Sequence, residues 1–148
     1  MTTLRWIQHP SGLERRELLD PSGDLEAQLR ELLQAHDSDA PVLAELQGPR
    51  GDRLLIGLGR PLSLDAATEV TAPVSRPLSC LVIETASGAS QSSRGSEFGA
   101  DDSLVWFLDG HWTELPGRVA VDLDVAAAAA GAYLRGRDPS GHVVLQHD

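Results

Sequence analysis

The stretch DGHWTELP (109–116) holds the residue types nearest to a catalytic set: His111, Trp112 and Glu114 beside an Asp109-Gly110 turn. A histidine oriented by a carboxylate is the pairing of a general base, and it works only if both groups reach one substrate atom. Asp-Gly is the favoured pair for a two-residue type I′ hairpin turn. With that turn, Leu108 faces His111, Phe107 faces Trp112, Trp106 faces Thr113 and Val105 faces Glu114. Side chains alternate across a sheet, so His111 and Glu114 project from opposite faces. One face carries Leu104, Trp106, Leu108, His111, Thr113 and Leu115 and is the expected core face. The other carries Val105, Phe107, Trp112 and Glu114 and is expected to be partly exposed. Asp109, His111, Trp112 and Glu114 are therefore expected to frame the fold or to be partner contacts rather than catalytic groups.

The remaining reactive types are scattered. His142 and His147 are five residues apart on an expected strand, and His9 and His36 lie far away in the chain. A metal needs convergent ligands, so no metal site is expected. The lone cysteine, Cys80, sits among Leu78, Leu81 and Val82. An activated thiolate prefers a helix N-terminus or a basic neighbour, so Cys80 reads as an inert core thiol. GLGRPLS (57–63) lacks the third glycine and the helix of a phosphate loop. All 12 basic residues are arginine; without lysine there is neither a Walker-type grip nor a Ser-Lys dyad. No serine stands in a G-x-S-x-G elbow, and the RGD at 50–52 reads as turn chemistry. A second candidate partner surface is SEFGADD (96–102), where Glu97, Phe98, Asp101 and Asp102 place one aromatic among three acids. No catalytic residue and no cofactor are expected.

These groups need elements to hold them. LRWIQH (4–9) reads as a strand, LERRELL (13–19) as strand or helix, and residues 20–37 as a helix capped by Asp20 or Ser22. Leu25, Leu29, Leu32 and Leu33 form its apolar stripe. PVLAELQ (41–47) and RLLIGLG (53–59) form a hairpin across a longer loop. Residues 60–77, with three prolines, read as irregular. LSCLVIETA (78–86) is a strand, and the Gly/Ser-rich tract 87–102 is expected to be a mobile loop. After the hairpin, RVAV (118–121) is extended. An alanine-rich helix spans about 123–134, capped by Asp122 or Asp124 and stopped by Gly136. HVVLQH (142–147) closes the chain as a strand. The expectation is a single α+β domain over 1–148, with a mostly antiparallel sheet of about five to seven strands and two main helices.

The chain has 148 residues, 41% hydrophobic and 23% charged, with a net charge of -10. A domain of this size buries roughly 68–70% of its unfolded surface, and one cysteine allows no internal disulfide. The acidity argues against direct nucleic-acid binding, which needs clustered cations, and against anionic lipid. It suits steering toward a basic partner. The first residues carry charge early and lack an apolar signal region, so the expected compartment is the cytoplasm.

The order of motifs resembles the first-numbered family of bacterial polymorphic-toxin immunity proteins, common in actinobacteria. The motifs are Leu58-Gly59 ending a strand, the aromatic hairpin with Gly110 to Pro116, and the final helix closing with Tyr133-Leu134 and Gly136 to Pro139. They cover roughly the C-terminal two-thirds, and residues 1–40 match only by their helix. The resemblance implies a non-enzymatic cytoplasmic inhibitor. It would bind one cognate toxin domain, basic and acting on nucleic acid as a deaminase or nuclease, as a monomer in an occluding complex. The competing classes are an acidic adaptor or chaperone of a secretion system, and an enzyme that gathers His111, Trp112 and Glu114 in one pocket.

Overall fold

The computed structural model describes residues 2–37, 40–48, 51–65, 67–68, 71–99 and 101–147. The chain starts with an antiparallel hairpin of β1 (Thr2–Ile7) and β2 (Glu14–Leu19), so LERRELL resolves as a strand. Helix α1 (Leu25–Ala35) follows, with Leu25, Leu29 and Leu33 buried. Its cap is Asp24, whose carboxylate accepts the Ala27 N–H at 3.1 Å. Asp20, the expected cap, closes a local turn on Ser22 instead. The helix therefore starts one turn later than composition suggested.

Strands β3 (Val42–Gln47) and β4 (Arg53–Leu58) pair antiparallel as expected. The Pro-rich segment expected to be irregular contains two short strands, β5 (Leu62–Leu64) and β6 (Thr71–Pro73). Pro73 can belong to β6 because that strand lies at the sheet edge, where a missing N–H donor costs no ladder bond. Strand β7 (Leu81–Glu84) pairs with β4, and β8 (Ser90–Arg94) pairs with β7. The tract expected to be a mobile loop thus contributes an internal strand. Ser92 and Ser93 are buried there. The Ser93 hydroxyl accepts from the Leu81 N–H at 3.0 Å and donates to the Val119 carbonyl at 2.6 Å. Buried serine is tolerated because its polar atoms are bonded.

Strands β9 (Ser103–Leu108) and β10 (His111–Pro116) form the central hairpin. Residues 117–119 make a 3-10 turn, so Arg118 and Val119 depart from the extended chain expected over 118–121, and Val121 resumes a bridge, with Ser79. Helix α2 (Leu123–Leu134) ends where expected, with Gly136 at φ 74°. Asp122 stands at its N-cap without a side-chain capping bond, its carboxylate being held by Arg76 at 2.8 Å. β11 (Val144–His147) pairs with β8.

The class is α+β, with two helices and a mostly antiparallel mixed sheet in one compact domain. Eleven strands stand among the described residues, more than the five to seven expected. The surplus comes from short strands whose apolar alternation is weak or too brief to stand out.

Two apolar clusters explain the layering. The larger gathers Leu25, Leu29 and Leu33 of α1 and Ala126, Ala127, Ala129 and Ala130 of α2 against Val42, Ala44 and Leu46 of β3 and Leu54, Ile56 and Leu58 of β4. The smaller lies on the opposite face of the same strands and joins Leu43 and Cys80 to Leu104, Trp106, Val119 and Ala120. Strand β9 meets β3 through a single parallel bridge, Val42 to Phe107. The β5–β6–β9–β10 part of the sheet can therefore fold across the face of β3 and β4 away from the helices. Gly57 permits this approach: a methyl group there would meet the Trp106 indole nitrogen at 2.8 Å.

Candidate partner-binding surface

The Asp-Gly turn forms as its chemistry dictates, with Asp109 at φ 47° and Gly110 at φ 94°. The register follows: Leu108 pairs His111, Phe107 pairs Trp112, Trp106 pairs Thr113 and Val105 pairs Glu114. His111 and Glu114 accordingly leave opposite faces of the hairpin and cannot converge on one atom. Trp106 is fully buried, whereas Trp112 is 46% exposed.

Trp112 is nonetheless held. Its ring meets His9 at a centroid distance of 4.8 Å and Phe107 at 5.2 Å, both edge-on. His9 also lies 4.6 Å from Phe107. This three-ring cluster fixes the indole against the sheet and leaves nearly half of the residue in solvent. Edge-on aromatic pairs of this kind contribute about 0.5–1.5 kcal/mol beyond area burial. Beside Trp112, the outward face of β5, β9 and β10 forms a shallow groove of about 370 Å³. Leu62, Leu64, Thr71 and Val105 line it with Trp112 and Glu114. Glu114 is exposed and makes no hydrogen bond or ion pair among the described residues.

Asp109 is tied within the chain. Its carboxylate lies 3.5 Å from Arg5, which also meets Glu14 at 3.0 Å and Glu45 at 3.6 Å. Arg5 thus ties the hairpin tip to β1, β2 and β3. His111 is exposed on the other face of β10.

The second predicted patch sits at the opposite end of the hairpin, with Asp102 about 17 Å along the strand from the Trp112 position. Glu97 is paired with Arg76 at 2.8 Å, and Arg76 also holds Asp122. Phe98 is partly buried against the smaller core cluster. The Asp102 carboxylate accepts the Gly99 N–H at 2.7 Å, while its carbonyl accepts the Gly117 N–H at 2.7 Å. Asp101 is exposed and unpaired among the described residues. The tract is a built joint in which Asp101 and Asp102 face solvent, and Glu97 is partly neutralised in place.

The structure unites Trp112 with residues the sequence did not flag. His9 reaches the hairpin from the far end of β1, and Leu62 and Leu64 come from the Pro-rich segment. The alternation Leu62-Ser63-Leu64 was the available signal for β5. Nothing local marked His9.

Elsewhere, a polar cleft of about 490 Å³ lies between the β1–β2 hairpin and the chain leaving α1. Trp6, His9, His36, Arg15, Arg16, Glu14 and Glu17 line it. His36 donates Nδ1–H to the Leu32 carbonyl at 2.8 Å and stacks edge-on against Trp6. His147 lies 3.3 Å from the Gln91 amide. Among the described residues no group of three His, Cys, Asp or Glu side chains is placed to hold a metal. Burial pushes the Cys80 thiol up to about 12, which leaves it protonated at neutral pH. In the RGD stretch Arg50 lies outside the described residues, and Asp52 accepts the Tyr133 hydroxyl at 2.7 Å. Among the described residues no helix is long and apolar enough to cross a membrane.

Compared with protein-family models, with curated proteins and with solved structures, the chain matches none.

Proposed function

We propose that this chain is a cytoplasmic immunity protein that binds a cognate toxin domain and covers the toxin's active site. The observation that carries the reading is Trp112: a half-exposed indole, pre-positioned by His9 and Phe107 beside an unpaired Glu114, in a chain of net charge -10. Trp is among the residues that dominate binding energy when they sit in a fixed apolar setting. Pre-positioning lowers the ordering cost of association. The acidic surface suits a basic partner, and a toxin acting on nucleic acid needs a basic cleft. The motif order shared with polymorphic-toxin immunity proteins supplies the partner class, and the interface is read from this chain's own surface.

In this reading Asp101 and Asp102 steer the encounter while Trp112 and Glu114 anchor the complex. The test is protection of cells that express the C-terminal domain encoded by the adjacent upstream gene, which this reading expects to be toxic. Replacing Asp101 and Asp102 by Asn should weaken protection, and Trp112→Ala should weaken it further, with the circular dichroism spectrum of each variant unchanged. Full protection by both folded variants contradicts the assignment of the surface. An adaptor would instead carry its partner without abolishing toxicity.

A further inference from the structure

The groove beside Trp112 has a chemistry more specific than acidity. Trp112 and Glu114 are two residues apart on β10, so they share a face about 7 Å apart. Opposite Glu114 stands Val105, and beyond it across β9 stands Leu62. The row therefore runs from an aliphatic floor to a carboxylate, with an indole beside it. Leu62 and Leu64 are partly exposed, and Val105 is 6% exposed. β10 pairs only with β9, so its outer edge is open among the described residues. No ion pair among the described residues involves Glu114.

We propose that this groove is a slot for one arginine side chain of the basic protein partner. The inference rests on the reading of that partner as basic and names what the surface recognises on it. An arginine stem is apolar and lies along Leu62, Leu64 and Val105. Its guanidinium is planar, offers two parallel N–H groups to the Glu114 carboxylate, and stacks on the indole within about 6 Å of the ring centroid. Lysine offers a point charge without the fork or the plane, so the slot discriminates between the two cations. A volume of about 370 Å³ is at the small end of ligand sites, which run roughly 300–1,000 Å³. It suits one side chain rather than a helix.

The test uses the full chain and four short blocked peptides, Gly-X-Gly with X as arginine, lysine, citrulline or leucine, at about 0.15 M salt. The readout is the Trp112 indole N–H signal by nuclear magnetic resonance, assigned with Trp112→Phe. The arginine peptide should shift this signal saturably, with a dissociation constant on the order of millimolar, as isolated exposed contacts allow. Lysine should bind several-fold more weakly, and citrulline, which keeps the shape and loses the charge, should not bind. Glu114→Gln should lower arginine affinity about tenfold while leaving the other indole signals in place. Equal binding of lysine and arginine overturns the proposal, as does indifference to Glu114→Gln. Equal binding of leucine would show that an apolar side chain is the occupant. A concentration-dependent shift without peptide would show that a second copy is. A chain that protects against the toxin yet fails to select arginine refutes the slot alone. One that selects arginine yet gives no protection refutes the toxin reading alone.

Discussion

Two tryptophans on one hairpin differ sharply in burial. Trp106 is fully buried against Gly57, and Trp112 stands half in solvent. Trp106→Ala should cost about 3–5 kcal/mol in chemical denaturation, as large aromatic truncations in cores do. Trp112→Ala should cost about 1–2 kcal/mol, because it loses edge-on ring contacts and partial burial. Equal losses would mean that the two faces are not distinguished as the register requires. That register was legible in the sequence because Asp109-Gly110 admits one tight turn and fixes every pair behind it. The aromatic cluster was not legible, since His9 joins it from about a hundred residues away. The ion pairs of Arg5 and Arg76 were hidden for the same reason: they depend on where loops return, which no local pattern encodes.

The elements divide in the same way. Helix α2 announced both ends, through acids at 122 and 124 and through Gly136. Helix α1 announced its stripe but not its cap: Asp20 and Ser22 were the expected caps, and the geometry places Asp24 there instead. Asp24→Ala should cost about 1 kcal/mol, the usual loss of an N-cap. Asp122→Ala should stay within about 0.5 kcal/mol, because its exposed carboxylate makes no capping bond and, among the described residues, meets Arg76 alone. Thermal melts of both variants decide this, and the reverse order would contradict the assignment of the caps. The strands missed at 62–64, 71–73 and 90–94 share a cause. Short strands near a sheet edge or built from serine bury little apolar area, so the pattern that signals a half-buried strand is weak. β8 is strand because β7 and β11 pair with it on both sides, a tertiary fact that overrides its loop-like composition.

For the whole molecule, charge enters stability through carboxylates held by hydrogen bonds. Glu14 is held below the usual carboxylate range first by its hydrogen bond from Arg16, and Asp37 first by that from Arg60. Asp20 and Asp138 are lowered by hydrogen bonds from Ser22 and Ser140. A carboxylate whose folded pKa is depressed contributes stability above its unfolded value, about 4, and loses it as pH falls through the folded value. The melting temperature should therefore fall steadily below about pH 4, and Arg60→Ala should flatten part of that slope. A profile unchanged by removing Arg60 would show that the Asp37 pair does not contribute.

The same charge makes the account testable at its centre. The purified chain is mixed with the C-terminal domain of the protein encoded by the adjacent upstream gene, and association and dissociation rates are followed from about 50 to 500 mM salt. A one-to-one complex is predicted, with an on-rate that falls about tenfold or more across that range while the off-rate changes little. Asp101→Asn with Asp102→Asn should lower the on-rate at low salt, and Trp112→Ala should raise the off-rate. Absence of a complex, or an on-rate indifferent to both salt and the paired substitution, would contradict the reading of this chain as an acidic inhibitor of a basic partner.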